Sequence, residues 1–465
     1  MSGVSDKAAA RRPRDPRLDF FRGLGMCIIL VAHVPWNPWT NWIPARYGFS
    51  DAAEMFVFCS GMASALAFAS VFDQHGWFAG LFRILYRLWQ VYWAHICSFM
   101  AVFAFVIAAD QMLGVDHYVR EELKLQAIFD RPAEHLLGLM TLRFVPNYFD
   151  ILPMYLVVLA MTPIVMALAA VHRALVAVFV IGLWAVAQTG RFDLIADASE
   201  NRIWFFNPFA WQLVFFTGFS FMRGWLPAPP RDARLVAACV LVVVLAAPIS
   251  CSSGFSCHAG FGHVPVFGEV YDALSDWWIA KTEQGPLRFV HFLATAYLAY
   301  VAVGVRGARL TGAFANLMRE IGQQTLAVFL AGLVVGQALG VALDLTGRGF
   351  LAVTLANLAG FALLLLAARI TSLAKSPPWR RAAKAHAKAG SAEGCDQRLS
   401  PGRPIPPGTP MLGVDGRLKG GAEGRLGAEG SRPPVPPSGF DPPSPSKGIS
   451  PVVGCKGAGA PISGS

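Results

Sequence analysis

The chain has 465 residues, 55% hydrophobic and only 15% charged, with 34 Phe and 13 Trp and a mean hydropathy of +0.47. Such an apolar share excludes an ordinary soluble globular domain and predicts an all-α, polytopic membrane protein embedded in a lipid bilayer. The formal net charge of +10 comes with no RNA- or DNA-binding pattern, so it is read as membrane topology and no nucleic-acid partner is expected.

Residues 1–17 are a basic amino-terminal segment, 18–373 the predicted membrane domain, and 374–465 a Gly/Pro-rich tail. Within the domain, long apolar stretches recur at roughly 20–36, 51–72, 84–109, 151–171, 174–190, 208–223, 233–250, 287–305, 321–343 and 349–372. Each is near the roughly 17–25 residues that a helix needs to cross the hydrocarbon core, which predicts about ten transmembrane helices. The ~10-residue alternating strands of a barrel are absent from the pattern. Lys and Arg gather in alternate connections, including Arg83, Arg87, Arg173, Arg223, Arg234, Arg306 and Arg319, and this bias places both termini in the cytoplasm. Pro35 and Trp36 stand where a signal peptide would need small residues, so the first helix is expected to remain as an anchor.

The first stretch, LDFFRGLGMCIILVAHVPWN (18–37), carries Arg22 near its start and His33 near its end. Ionisable residues inside a membrane helix are costly and point to function unless a structural partner explains them. At 100° per residue the two differ by about 20° around the helix and by about 16 Å along it, so one face marks a path from the cytoplasmic boundary toward the outer half. Asp19 lies on the same face. In the second helix, Glu54 is a carboxylate at the outer edge, while Ser60, Gly61, Ala63, Ser64 and Ala65 form a small-residue surface suited to close packing. Arg83 and Arg87 stand one turn apart in the third; they either snorkel to the interface or join Arg22 in an anion site.

Polar residues then accumulate at the outer ends of later helices: Asp150 and Tyr155 in DILPMYLVVLAMTP, Asn207 and Gln212 in NPFAWQLVFFTG, and Arg288 and His291 in PLRFVHFLATAY. Each fits capping, anchoring or core hydrogen bonding. Together they predict a polar chamber open to the outside beside His33. Cys27, Cys59, Cys97 and Cys239 read as small buried residues. Cys251 and Cys257 share an outer loop where oxidation is permitted, and a local disulfide and two free thiols are the alternatives there. The nearby His258 and His263 match no standard zinc spacing, and no metal is predicted. The tail, with about half of the 32 prolines, lacks the apolar surface to offset its ordering entropy and is expected to be disordered.

The Arg22-to-His33 spacing, AEMFVFCSG and FRILYRLWQVYW resemble the membrane acyltransferase 3 superfamily. More closely, RDPRLDFFRGL, GFSDAAEMFVFCSG, FDILPMY, NPFAWQL, LRFVHFLATAYL and IGQQTLAVFLAG together resemble the OpgC family, over about residues 14–372. Ala32 and Gln323 depart from positions where that family often carries an acidic and a basic residue. The resemblance implies an inner-membrane enzyme that moves a succinyl group from succinyl-CoA to hydroxyls of periplasmic glucans, with no bound cofactor.

In that chemistry His33 is the candidate general base, with Glu54 or Asp150 fixing its tautomer. Arg22, Arg83 and Arg87 are the candidate ligands of the acyl-CoA phosphates. Tyr155, Asn207, Gln212, Arg288 and His291 are the candidate acceptor contacts. No Ser or Cys stands in a nucleophile context, which favours direct transfer. The alternatives are an O-acetyltransferase acting on lipopolysaccharide or another surface polysaccharide and, in another class, a secondary transporter, although no internal repeat supports the latter.

Overall fold

A computed structural model of the chain describes residues 15–114, 117–251 and 264–375. Its helices are α1 (Pro16–His33), α2 (Ala52–Ser64), α3 (Ser70–Leu113), α4 (Gln126–Asp130), α5 (Pro132–Met140), α6 (Ile151–Ala160), α7 (Thr162–Val171) and α8 (Arg173–Ala187). After a short antiparallel pair, β1 (Ile195–Asp197) and β2 (Arg202–Ile203), come α9 (Pro208–Arg223), α10 (Ala233–Ala246), α11 (Pro265–Ser275), α12 (Pro286–Ala302), α13 (Gly312–Gln323), α14 (Thr325–Thr346) and α15 (Phe350–Lys375). The fold is helical as expected, apart from this one pair. The tail and Cys257, His258 and His263 lie outside the described residues. Cys251 is disulfide-bonded.

Every expected apolar stretch falls on helix. By length and composition, however, four runs among the described residues are able to cross a membrane: Ala52–Leu113, Ile151–Val171, Thr325–Thr346 and Phe350–Lys375, with α8 and α10 as shorter apolar helices. The expected count of about ten is therefore not reached on this measure, because α9 and α12 have only 16 and 17 residues. Moreover, two expected stretches merge into one 62-residue run, in which a π-turn at Ala65–Ala69 and a left-handed Gly76 (φ 82°) bend the chain. Phe78, Phe82 and Trp89 on α3, Leu241 and Leu245 on α10, and Leu351 and Leu355 on α15 point outward. Such apolar exteriors belong in lipid, where helices satisfy their own backbone groups, and they mark a membrane protein.

Two close crossings organise the bundle. A Cβ on Gly23 of α1 would lie 1.8 Å from Met318 O, and one on Gly322 of α13 would lie 1.8 Å from Asp19 O. Likewise, a Cβ on Gly61 would lie 1.9 Å from Phe215 O, so the small-residue surface of α2 meets α9 backbone to backbone. Local signals set the ends that matter. Asp15 caps α1 and Pro16 starts it, while Pro35 excludes helical geometry at Val34 (φ −81°, ψ 115°), making His33 the last helical residue. At α2, the Asp51 side chain accepts from Ala53 N at 2.7 Å and Glu54 Oε2 accepts from Asp51 N at 2.8 Å, a reciprocal capping box.

Candidate active site

Polar side chains form two separate centres associated with the two ends of α1. At the His33 end, Glu54 is fully buried; one carboxylate oxygen closes the α2 capping box and the other accepts a hydrogen bond from Arg288 Nε. Asp51 Oδ2 accepts from Lys281 Nζ at 2.5 Å and from Arg288 Nη2 at 3.3 Å. Two carboxylates thus balance two cations, the arrangement that lets charge stay buried. Burial pushes the Asp51 carboxyl up, but the Lys281 and Arg288 charges prevail and hold it below the ordinary carboxylate range.

His291, one turn after Arg288, accepts a hydrogen bond at Nδ1 from Ser50 N at 3.3 Å, with Ser50 Oγ at 2.8 Å. That bond puts the ring proton on Nε2, which is buried without a partner among the described residues. The His33 ring stands edge-on to Tyr148, with centroids 5.1 Å apart, and near Phe329 at 6.3 Å. The Tyr148 hydroxyl in turn donates to Glu122. Among the described residues neither Glu54 nor Asp150 hydrogen-bonds to His33. Glu54 is committed to Arg288 and its cap. Asp150 keeps Oδ1 buried and, among the described residues, unpartnered; burial pushes its carboxyl up to about 6 against the nearby charges of Arg202 and Lys281.

Asn207 and Gln212 serve the scaffold instead of a chamber. Asn207 caps α9 through Phe209 N at 3.0 Å and donates to Asp193 Oδ1 at 3.1 Å, while Gln212 Nε2 donates to Val180 O at 2.7 Å, tying α9 to α8. Polar residues at a helix entrance have unsatisfied backbone to serve, which is the capping reading of the sequence.

The second centre is a cavity of about 240 Å³ lined by Arg22, Arg83, Arg87, Tyr86, Gln90 and Tyr155, among others. The structure therefore brings the three candidate phosphate ligands together. Arg22 Nε is buried without a partner among the described residues. Tyr155 belongs here, 3.5 Å from Ser64 Oγ, and not in the outer chamber expected for it. Five residues beyond Asp150, it has moved about 7 Å along the helix and about 140° around it. A larger cavity of about 430 Å³ at the start of α1 is lined by Asp19, Arg319, Glu320 and Gln323 with Pro16 and Asn316. Its two carboxylates against one cation suit a polyphosphate less well than three arginines do.

Lys281 and Asp51, central to the first centre, are not among the residues singled out from the sequence. Among the described residues no three His, Cys, Asp or Glu side chains converge as a metal set. In comparisons with known proteins, a family model described as OpgC protein matches residues 14–376. No curated protein matches, and no solved structure does.

Proposed function

The chain belongs to the OpgC protein family, a family of acyltransferases, and from that premise we propose that it transfers succinyl groups from succinyl-CoA to hydroxyls of periplasmic glucans. The observation that carries this reading is the pairing of an arginine-lined cavity at Arg22 with a buried charge network beside His33, eleven residues on along the same helix face. The span between them, about 16 Å, separates a phosphate-binding end from a reacting end, as a long thioester donor requires. In this reading the protein lies in the inner membrane with both termini cytoplasmic; the donor enters at the Arg22 end and the glucan from the periplasm.

Arg22, Arg83 and Arg87 hold the donor phosphates by charge-assisted hydrogen bonds. At the other end His33 takes the proton of an acceptor hydroxyl as its oxygen attacks the thioester carbon. The carbon–sulfur bond breaks, the imidazolium returns its proton to the departing thiolate, and ester and free CoA result. Asp150, with an open carboxylate oxygen, remains freer than Glu54 to orient or stabilise the imidazolium. His291 presents Nε2–H to the acceptor, and Arg288 keeps the entrance of α2 fixed.

Mass spectrometry of periplasmic glucans from cells with and without the gene tests the reading. Loss of the succinyl mass is the expected result; glucans of unchanged mass would refute it.

A further inference from the structure

The turn before α12 presents a cation that the reaction above leaves unused. Its backbone is tied down carbonyl by carbonyl: Trp211 Nε1 donates to Lys281 O at 2.9 Å, Asn207 N to Thr282 O at 3.1 Å, Gln188 Nε2 to Glu283 O at 2.6 Å and Trp184 Nε1 to Gln284 O at 3.0 Å. Gln284 is held in the left-handed region, φ 51°. A strained turn persists only where its surroundings over-determine it, and here donors on or flanking α8 and α9 do so. The position of Lys281 is therefore set by the scaffold and not by its charge alone.

At the end of that side chain, Nζ meets Asp51 Oδ2 at 2.5 Å and lies over the rings of Phe205 and Phe206, 5.3 and 5.7 Å from their centroids. An ammonium has three donors. Among the described residues Asp51 is its one hydrogen-bond acceptor, and 32% of the side chain stays exposed. Arg288, by contrast, is 9% exposed and engaged by both carboxylates. Of the two cations, Lys281 is the more exposed, and its charge is felt at both His33 and Asp150.

We propose that Lys281, framed by Phe205 and Phe206, is a carboxylate subsite that receives the free terminal carboxylate of the acyl group being transferred. The inference rests on the succinyl reading above and adds to it the residue that selects the donor. A succinyl group carries its second carboxylate two methylenes from the thioester carbon. With that carbon at His33, the methylenes lie along the phenyl rings and the carboxylate meets the ammonium. An acyl chain ending in methyl leaves the ammonium without a partner, so the site discriminates by an interaction that only the dicarboxylic donor makes.

The test uses the full-length protein in lipid nanodiscs with one glucan acceptor and two four-carbon donors, succinyl-CoA and butyryl-CoA. Lys281→Gln, which keeps a donor for Asp51, is expected to lower kcat/KM for succinyl-CoA roughly 10- to 100-fold, mainly through KM, the size of a lost charged hydrogen bond. Butyryl transfer by the same variant falls far less, so the succinyl-to-butyryl ratio of kcat/KM drops, a near-wild-type melting temperature reports that the variant is folded, and Lys281→Arg keeps the succinyl preference. An equal fall with both donors, which a structural role or a carboxylate on the acceptor would give, overturns the subsite, as does an unaltered preference. Wild-type protein that takes nothing from succinyl-CoA overturns the functional reading and the subsite with it.

Discussion

Glu54 joins two elements that lie 234 residues apart in the chain, receiving Arg288 on one carboxylate oxygen and the Asp51 backbone N–H on the other. Losing one member of a buried ion pair strands the other, at about 3–5 kcal/mol. Glu54→Gln and Arg288→Met should each lower the melting temperature of the detergent-purified protein. The double variant, with no stranded charge, should recover much of the loss. Strictly additive melting shifts would mean that the two side chains do not act as a pair.

The roles proposed for the ends of α1 predict different kinetic defects. His33→Ala should reduce kcat by ~10²- to 10⁴-fold, the usual contribution of general base catalysis, with normal insertion. Arg22→Ala should raise KM for the acyl-CoA and be partly rescued at high donor concentration. Near-normal turnover by inserted His33→Ala protein would return the histidine to a packing role.

Asp150 gives a stability signature in pH. Its folded carboxyl, pushed up to about 6, lies above its ordinary value, so this group favours the fold when protonated. That contribution is fully present below about pH 4 and is lost as pH rises through about 6. Relative to wild type, Asp150→Asn should therefore gain stability as pH rises from about 4 to about 7, by up to roughly 2–3 kcal/mol. Parallel melting curves of the two proteins across that range would argue against the buried, strained carboxylate.

Gly61→Ala places a methyl 1.9 Å from Phe215 O and must push α2 off α9, a strain of about 1–3 kcal/mol or more. Gly182 on α8 has nothing within 4 Å of an added Cβ. Gly182→Ala should thus be neutral or slightly stabilising, while Gly61→Ala accumulates poorly in membranes. Equal accumulation of the two would show that the crossing tolerates expansion.

Topology reporters fused after Arg12 and after Ser376 should respond as cytoplasmic, and one near Lys124 as periplasmic. A tail reached only from the periplasm would reverse the two ends assigned to α1.

The arginine cavity was legible in the sequence because helix geometry fixes its parts. Arg83 and Arg87 share a face at one-turn spacing, and Arg22 lies eleven residues before the histidine. The charge network was only half legible. Glu54 and Arg288 stand out as charges in apolar surroundings, but their contact is set by how α2 meets α12, which no local pattern encodes. Lys281 was hidden for the same reason: its turn is positioned by indoles from Trp184 and Trp211, remote in sequence. Asn207 and Gln212 show the opposite case, where a polar residue at a helix entrance reads alike whether it serves a ligand or the backbone.

Pro35 has an effect beyond stopping α1. By ending the helix at His33, it places that ring at the negative pole of the helix macrodipole, where the last carbonyls lack intrahelical partners. A base there gains its proton, and its positive charge, next to partial negative charge that is already in place. The favourable term is about 0.3–1 kcal/mol at exposed ends and up to ~2 kcal/mol in partly buried ones. A helix continuing one more turn would move that pole away from the imidazole, so a residue that never touches substrate helps to set the electrostatics of the proton transfer.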